Sequence, residues 1–469
     1  MTSQQKIRFA FIGCLLMAGV IFSSSLATAA SLPLHRIKIW FDLPRHQIYG
    51  TVDATIPQSV RTIVVGKGLR ITTFAINGEA AEAKVEDDRI NLPSHPDGTR
   101  VRVEYEGVFP DEERWSAMNL IGAKGAFLLD GWYPAAEAEI AHFALEARVP
   151  EGFHAVSEAD HITTRDVGDE KQVIFDFPHP VDQIHLIMAP YVVSKDRYGN
   201  VELETYLLPE DKGLAARYLA YSKKYLGMYE EMLGPYPFRR FAVVENILPT
   251  GYGMPTFTLL GRQVLKLPFI PETSLGHEIL HSWFGNSVYV DYAKGNWSEG
   301  LTTYLADHYY DALKNKGWQH RKKIIENYES YVHQDNEISI REFFSGGDRA
   351  LRAVGYGKTA MFFHMLKNRA GEKAFAEGLR RLAQEQRFRI TSWQDLERIF
   401  SKTAGEDLSG FFTFWLDNKG AMAVNLSKIR LNQPGKDYNL QFEIRVVNST
   451  MPVFIQIVVP VSYTHLRAH

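Results

Sequence analysis

The sequence predicts a multidomain α+β protein: an antiparallel β domain first, an α-rich domain second, and the start of another β domain last. Three observations predict it. From about residue 31 to 194, short apolar and polar residues alternate with a period of two. Near Tyr198 the period lengthens to three and four residues, the spacing of helices. After Ala421 the alternation returns. The expected divisions are therefore a leader at 1–30, a β domain at 31–200, a helical domain at 201–420 and a partial β domain at 421–469. With 45% apolar residues and a net charge of −3 over 469 residues, the chain has material for two or three well-buried domains. No basic excess points to nucleic acid, and no internal repeat or low-complexity block is present.

In the leader, Lys6 and Arg8 precede an apolar run at 9–22, which is followed by serines and by Ala27-Thr28-Ala29-Ala30. This is the pattern of a secretory signal peptide, with cleavage expected after Ala29 or Ala30. Export to the periplasm or the exterior follows from it; an uncleaved run would instead act as a signal anchor. No other stretch reaches transmembrane length, so no stable membrane insertion is expected after cleavage. Cys14 is the single cysteine, so the mature protein would have no internal disulfide and would rely on core burial.

The β domain shows alternating segments at 37–41, 48–52, 101–105 and 173–177, separated by Pro, Gly and Asp turn residues. Residues 212–233 then place Leu214, Tyr218, Tyr221, Tyr225, Met228 and Met232 on one helical face closed by Gly234-Pro235. A stripe confined to one face reads as core packing rather than as a ligand box. A strand is expected at 241–245, and Gly251 and Gly253 suit a tight turn. Further helices are expected at 301–314, 321–332, 358–369, 372–386 and 393–402.

Between these elements lies His277-Glu278-Ile279-Leu280-His281. On a helix the two histidines project from one face and can place two imidazole nitrogens on one zinc ion. Thr273 and Ser274 are expected to cap that helix, and Leu275, Ile279 and Trp283 form its inward stripe. A catalytic zinc takes three protein ligands and keeps a fourth position open, so one ligand is still required. Glu299, where helical spacing resumes after a loop, is the candidate, and Glu278 is left as a base. A bare five-residue match is weak by itself; the helical context and the following carboxylate strengthen it.

HEILHSWFGN followed by GNWSEGLTTYLAD resembles the signature of the M1 family of gluzincin metallopeptidases, the aminopeptidase N group. The resemblance implies a saddle-like N-terminal β domain, including Trp132-Tyr133-Pro134 and Val149-Pro150, that walls one side of a substrate channel. It implies a thermolysin-like catalytic domain with a small helical cap, and one zinc per chain on His277, His281 and Glu299. Glu278 would be the general base. Val354-Gly355-Tyr356-Gly357-Lys358-Thr359-Ala360 resembles the family's Tyr-x-Lys-Gly-Ala segment, which makes Tyr356 the donor to the oxyanion. Gly253 and Met254 fit the GxMEN segment, whose backbone pairs with substrate. The implied activity is zinc-dependent hydrolysis of peptides, with aminopeptidase action the family default.

Three departures from the pattern stand out. Residues 282–298 are one residue shorter than the family's eighteen, a deletion expected to fall in the loop at 291–295. Thr359 stands where Gly is usual. Pro255 and Thr256 stand where GxMEN has Glu and Asn, so the carboxylate that grips a free α-amino group is missing from its usual place. The alternatives are thus an endopeptidase or other zinc hydrolase that needs no free amine, or a non-catalytic scaffold of M1 type. Asn296-Trp297-Ser298 matches a glycosylation sequon, but a glycan there would block the cleft. At the far end, alternation at 424–426, 440–446 and 453–459 supplies too few strands for a β-sandwich, and 462–469 lose it, as expected of a truncated version of a longer protein.

Overall fold

The computed structural model describes residues 31–111, 118–246, 251–421, 423–432 and 439–447. The expected leader with Cys14, the dipeptide Pro249-Thr250, the expected strand at 453–459 and the tail at 462–469 lie outside the described residues.

The alternation in the first part folds into an eight-stranded sheet. Its order is His161–Val167, Glu170–Asp176, His142–Pro150, Leu34–Asp42, Gln47–Ile56, Thr99–Val108, Leu69–Ile76 and Glu79–Ala80. Ile37, Ile39, Ile48, Val52, Val101 and Val103 point inward and are almost fully buried, while the residues between them face out. The antiparallel expectation needs one correction: Leu34–Asp42 runs parallel to His142–Pro150, with Ile37 opposite Leu145. Hairpins force neighbouring strands to be antiparallel, but these two are joined by a long excursion that can return the chain from the same end. Trp132 is fully buried and donates its indole N–H to the Ile184 carbonyl at 3.0 Å.

A second sheet supports the helical part. It has five strands in the order Val192–Tyr198, Val201–Leu207, Arg240–Asn246, Phe257–Gly261 and Gly251–Met254, so it draws strands from both sides of residue 200. The last of these is an edge strand, antiparallel to its single neighbour. The aromatic stripe becomes the helix Ala215–Leu233, preceded by a 3-10 turn at Lys212–Leu214. Its buried face is centred on Tyr218, Ser222, Tyr225 and Tyr229, with Tyr221, Met228 and Met232 at the margin, as expected of core.

The later helices are Gly317–Tyr331, Thr359–Ala370, Glu372–Glu385 and Trp393–Ala404, near their expected positions. A further helix, Ser409–Asp417, buries Phe411, Phe412 and Leu416; its short apolar run carried no clear period. No helix of the described residues is long and apolar enough to cross a membrane. The final described element is a hairpin of Ala423–Asn432 with Asn439–Val447, on which Leu426, Ile429 and Leu431 are exposed.

Candidate metal centre

The histidine pair lies on a short helix, Ser274–Leu280, with His281 as its C-terminal cap. Leu275, Ile279 and Trp283 are buried as the sequence suggests, and this fixes the opposite face towards the cleft. The capping expectation fails. Thr273 provides no side-chain cap, and its hydroxyl instead donates back to the Phe269 carbonyl at 2.8 Å. Tyr229 anchors the helix start, donating its hydroxyl to the Gly276 carbonyl at 3.0 Å.

Past His281 the chain reverses at Gly285, whose φ of +119° is open to glycine. The loop to Glu299 is pinned by Trp297, buried completely and donating its indole N–H to the Thr391 carbonyl at 2.8 Å. Although this stretch is one residue short, a 3-10 turn at Tyr292–Lys294 closes it and Glu299 still arrives at the histidines. The side-chain amide of Asn296 is buried and donates to the Phe344 carbonyl, which removes the sequon from the surface.

Three side chains therefore converge. Nε2 of His281 lies 3.4 Å and Nε2 of His277 lies 3.7 Å from Oε2 of Glu299. Ligands about 2.0–2.1 Å from a tetrahedral zinc sit roughly 3.4 Å from one another, so the set matches zinc before any adjustment. The far nitrogens are committed as a metal site requires. Nδ1 of His277 donates to Asp307 at 2.8 Å, and Nδ1 of His281 donates to the Phe284 carbonyl at 3.0 Å. Both Nε2 lone pairs are thereby aimed at the common point. Ser298 steadies the second contact, its hydroxyl donating to the same Phe284 carbonyl at 2.7 Å.

Charges within the donor set stabilise one another. Burial works against protonated imidazoles, yet Asp307 raises His277 well above its ordinary pKa, and Glu299 raises His281. Burial likewise opposes the Glu299 carboxylate, but His281 and His277 hold its pKa well below the ordinary range. Three carboxylates around two imidazoles form a half-buried group whose excess negative charge a divalent cation would neutralise. Burial raises the pKa of Glu278, with the neighbouring imidazoles opposing and Glu299 adding to the rise.

From the sequence Asp307, two turns beyond Glu299, is a possible partner of the histidines but no better a candidate than a solvated helix carboxylate; the structure places it on Nδ1 of His277. It lies eight positions after Glu299, and on an ideal helix that is about 80° round the axis. The expected continuous helix is in fact Ser298–Thr303, a π turn at Tyr304–His308 and Tyr309–Leu313. The extra residue absorbed by the π turn brings the two carboxylates to within about 20° of one face. Tyr356 is placed by a second π turn, Ala353–Lys358, between Arg349–Arg352 and Thr359–Ala370. Thr359, the departure from the usual Gly, donates its hydroxyl to the Val354 carbonyl inside that turn at 3.1 Å. Burial first, and the Glu299 charge second, raise the pKa of Tyr356 and keep its phenol protonated.

The edge strand Gly251–Met254 runs beside the base. A Cβ on Gly253 would lie 3.0 Å from Oε2 of Glu278 and 3.2 Å from Cβ of His281, so a side chain there would have to push the base or the strand aside. Gly251, Tyr252 and Gly253 line a cavity of about 1670 Å³ together with His277, Glu278, His281, Glu299 and Tyr356. Met254 does not line it; its side chain packs on a separate apolar cluster around Tyr206 and Phe257. Pro255 and Thr256 are buried in the hairpin turn, with φ of +69° at Thr256, the second position of a type II pattern.

Residues 272–415, which span both histidines, Glu299 and Tyr356, match the Peptidase family M1 domain. This part of the chain is similar to a peptidase family M1 domain. Aminopeptidase M1-D of Oryza sativa subsp. japonica is 23% identical over 312 residues, covering 61% of this chain and 35% of that protein. The leucyl aminopeptidase of Saccharolobus solfataricus is 20% identical over 404 residues, covering 77% of this chain and 50% of that protein. The chain thus spans about half or less of the length of these relatives. Among solved structures, an M1 zinc metallopeptidase from Deinococcus radiodurans superposes with a TM-score of 0.67 at 18% identity, covering 82% of this chain and 94% of that one. That likeness shows the fold, and the donor set of His277, His281 and Glu299 fits one zinc.

Asp307→Asn is expected to lower zinc affinity by roughly 10–100-fold while leaving the fold intact, because the amide is a weaker acceptor for His277. Competition against a chromogenic chelator measures it; unchanged affinity would make Asp307 a bystander.

Proposed function

We propose that the chain is a zinc-dependent peptidase. The observation that carries this is the convergence of His277, His281 and Glu299, with Glu278 beside them against an edge strand in the same cavity. An extended peptide can lie along such a strand and present a scissile carbonyl to the site. Zinc, when bound, supplies Lewis-acid polarisation of that carbonyl and makes water a nucleophile near neutral pH. Glu278 receives the proton that the attacking water sheds as its oxygen bonds to the carbonyl carbon. It then delivers that proton to the leaving nitrogen as the C–N bond breaks. The protonated phenol of Tyr356 donates to the carbonyl oxygen as negative charge grows there.

Removal of N-terminal residues is the first reading, supported by relatives named aminopeptidases. A second reading, cleavage without need of a free amine, is favoured by the buried Pro255. Among the described residues, four carboxylates line the cavity: Glu278, Glu299, Asp307 and Asp311. Glu299 and Asp307 serve the histidines, Asp311 accepts from Nδ1 of His320 at 2.8 Å, and Glu278 is the base. Cleavage of one peptide with its N-terminus free and acetylated separates the readings. An aminopeptidase is expected to lose the acetylated substrate entirely, whereas equal cleavage leaves only the second reading. No chelator-sensitive cleavage of either would remove both.

A further inference from the structure

Four cations line the same cavity: Lys314, Lys323, Arg349 and Arg352. None has a carboxylate within ion-pair distance among the described residues, although arginines elsewhere in this half of the chain do. Arg341 pairs with Asp417, Arg369 with Glu406, Arg381 with Glu377 and Arg398 with Asp395. The two arginines share one face of the turn Arg349–Arg352, whose start Asp348 caps by accepting from the backbone N–H groups of Ala350 and Leu351. Each guanidinium rests on an aromatic ring, Arg349 on Tyr331 and Arg352 on Tyr356, both 5.1 Å from the ring centre. Arg349 spends one N–H on the Tyr331 hydroxyl at 3.2 Å, and the Arg352 guanidinium makes no hydrogen bond among the described residues. Both forks are therefore held by ring contacts with donors to spare, an arrangement suited to bidentate capture of a carboxylate. Lys323 extends the positive wall from the helix Gly317–Tyr331, where it shares a face with Asn327 and Tyr331.

We propose that Arg349 and Arg352, assisted by Lys323 and Lys314, select substrates that carry a carboxylate close to the scissile bond. This rests on the peptidase reading and sharpens its substrate class. None of these cations is spent on a carboxylate of the cavity, because among the described residues those carboxylates lie at the histidines or act as the base, so the cations are left for an anionic ligand. Arg352 stacks on the ring of the tyrosine that serves the reacting oxygen, so the captured carboxylate belongs within a residue or two of the cleaved bond. An acidic side chain and the C-terminal carboxylate of a short peptide offer the same chemistry.

The test is binding, so that it does not depend on turnover. Zinc-loaded Glu278→Gln protein is titrated calorimetrically with four short peptides that differ only by Glu against Gln and by C-terminal acid against amide. A carboxylate is expected to tighten binding by about tenfold, and the Glu/amide and Gln/acid peptides reveal which source supplies it. The preference is expected to weaken as salt rises and to vanish when Arg349→Gln and Arg352→Gln are added, with zinc content unchanged. Should that combination fold poorly, Lys323→Gln, from a different helix, is expected to reduce the same preference. Equal binding of all four peptides, no binding of any, or a preference that survives loss of both arginines overturns the proposal. Hydrolysis of the neutral peptide by unaltered enzyme tests the peptidase reading separately.

Discussion

Glu278→Gln is expected to keep one zinc per chain and to lower kcat/KM for a peptide substrate by roughly 10²–10⁴-fold, the usual contribution of a positioned general base. The amide has the shape of the carboxylate, so it fits the same narrow space against Gly253. What it lacks is the ability to accept a proton from water and return it to the leaving nitrogen. Metal analysis beside steady-state kinetics reads both halves of the result. Near-normal turnover with zinc in place would remove Glu278 from the reaction, and loss of zinc would show that it holds the ion rather than the proton.

The second large effect is expected at Glu299→Ala. Oε2 of this residue is the atom on which both histidines converge, at 3.4 and 3.7 Å, and its removal leaves two imidazoles to hold the ion. Zinc affinity should fall by more than the roughly 10–100-fold that loss of an outer partner costs. The buried Leu301 and Trp297 on either side keep the backbone in place, so circular dichroism should be unaltered. Zinc retained after dialysis against a moderate chelator, at the level of the unaltered protein, would place the third ligand elsewhere.

Much of the site was legible because its spacing is local. His277 and His281 are one helical turn apart, and Glu299 opens the next helix, so a periodic reading brings all three together. Tyr356 could be found through the resemblance of its segment, not through its own chemistry, since tyrosines with similar burial recur through the chain. Asp307 was legible only as a possible partner, because a π turn alters the helical phase and a period of 3.6 residues gives that carboxylate no advantage over a solvated one. The parallel pairing of Leu34–Asp42 with His142–Pro150 escaped for a related reason: alternation fixes which side of a strand is buried, and says nothing of which distant strand becomes its neighbour. Arg349 and Arg352 carry no motif, and only the shared cavity reveals them.

The two π turns have a bearing on how this centre could have changed over time. Each holds a functional side chain in position through the number of residues in the helix rather than through any side chain within the turn. Substitutions there leave the phase of the downstream helix untouched, whereas loss of a single residue rotates the remainder by about 100°. Chain length at these two places is thus constrained by geometry as the ligands are, and within the second turn Gly355 is constrained as well, since a Cβ there would collide with the Phe343 ring.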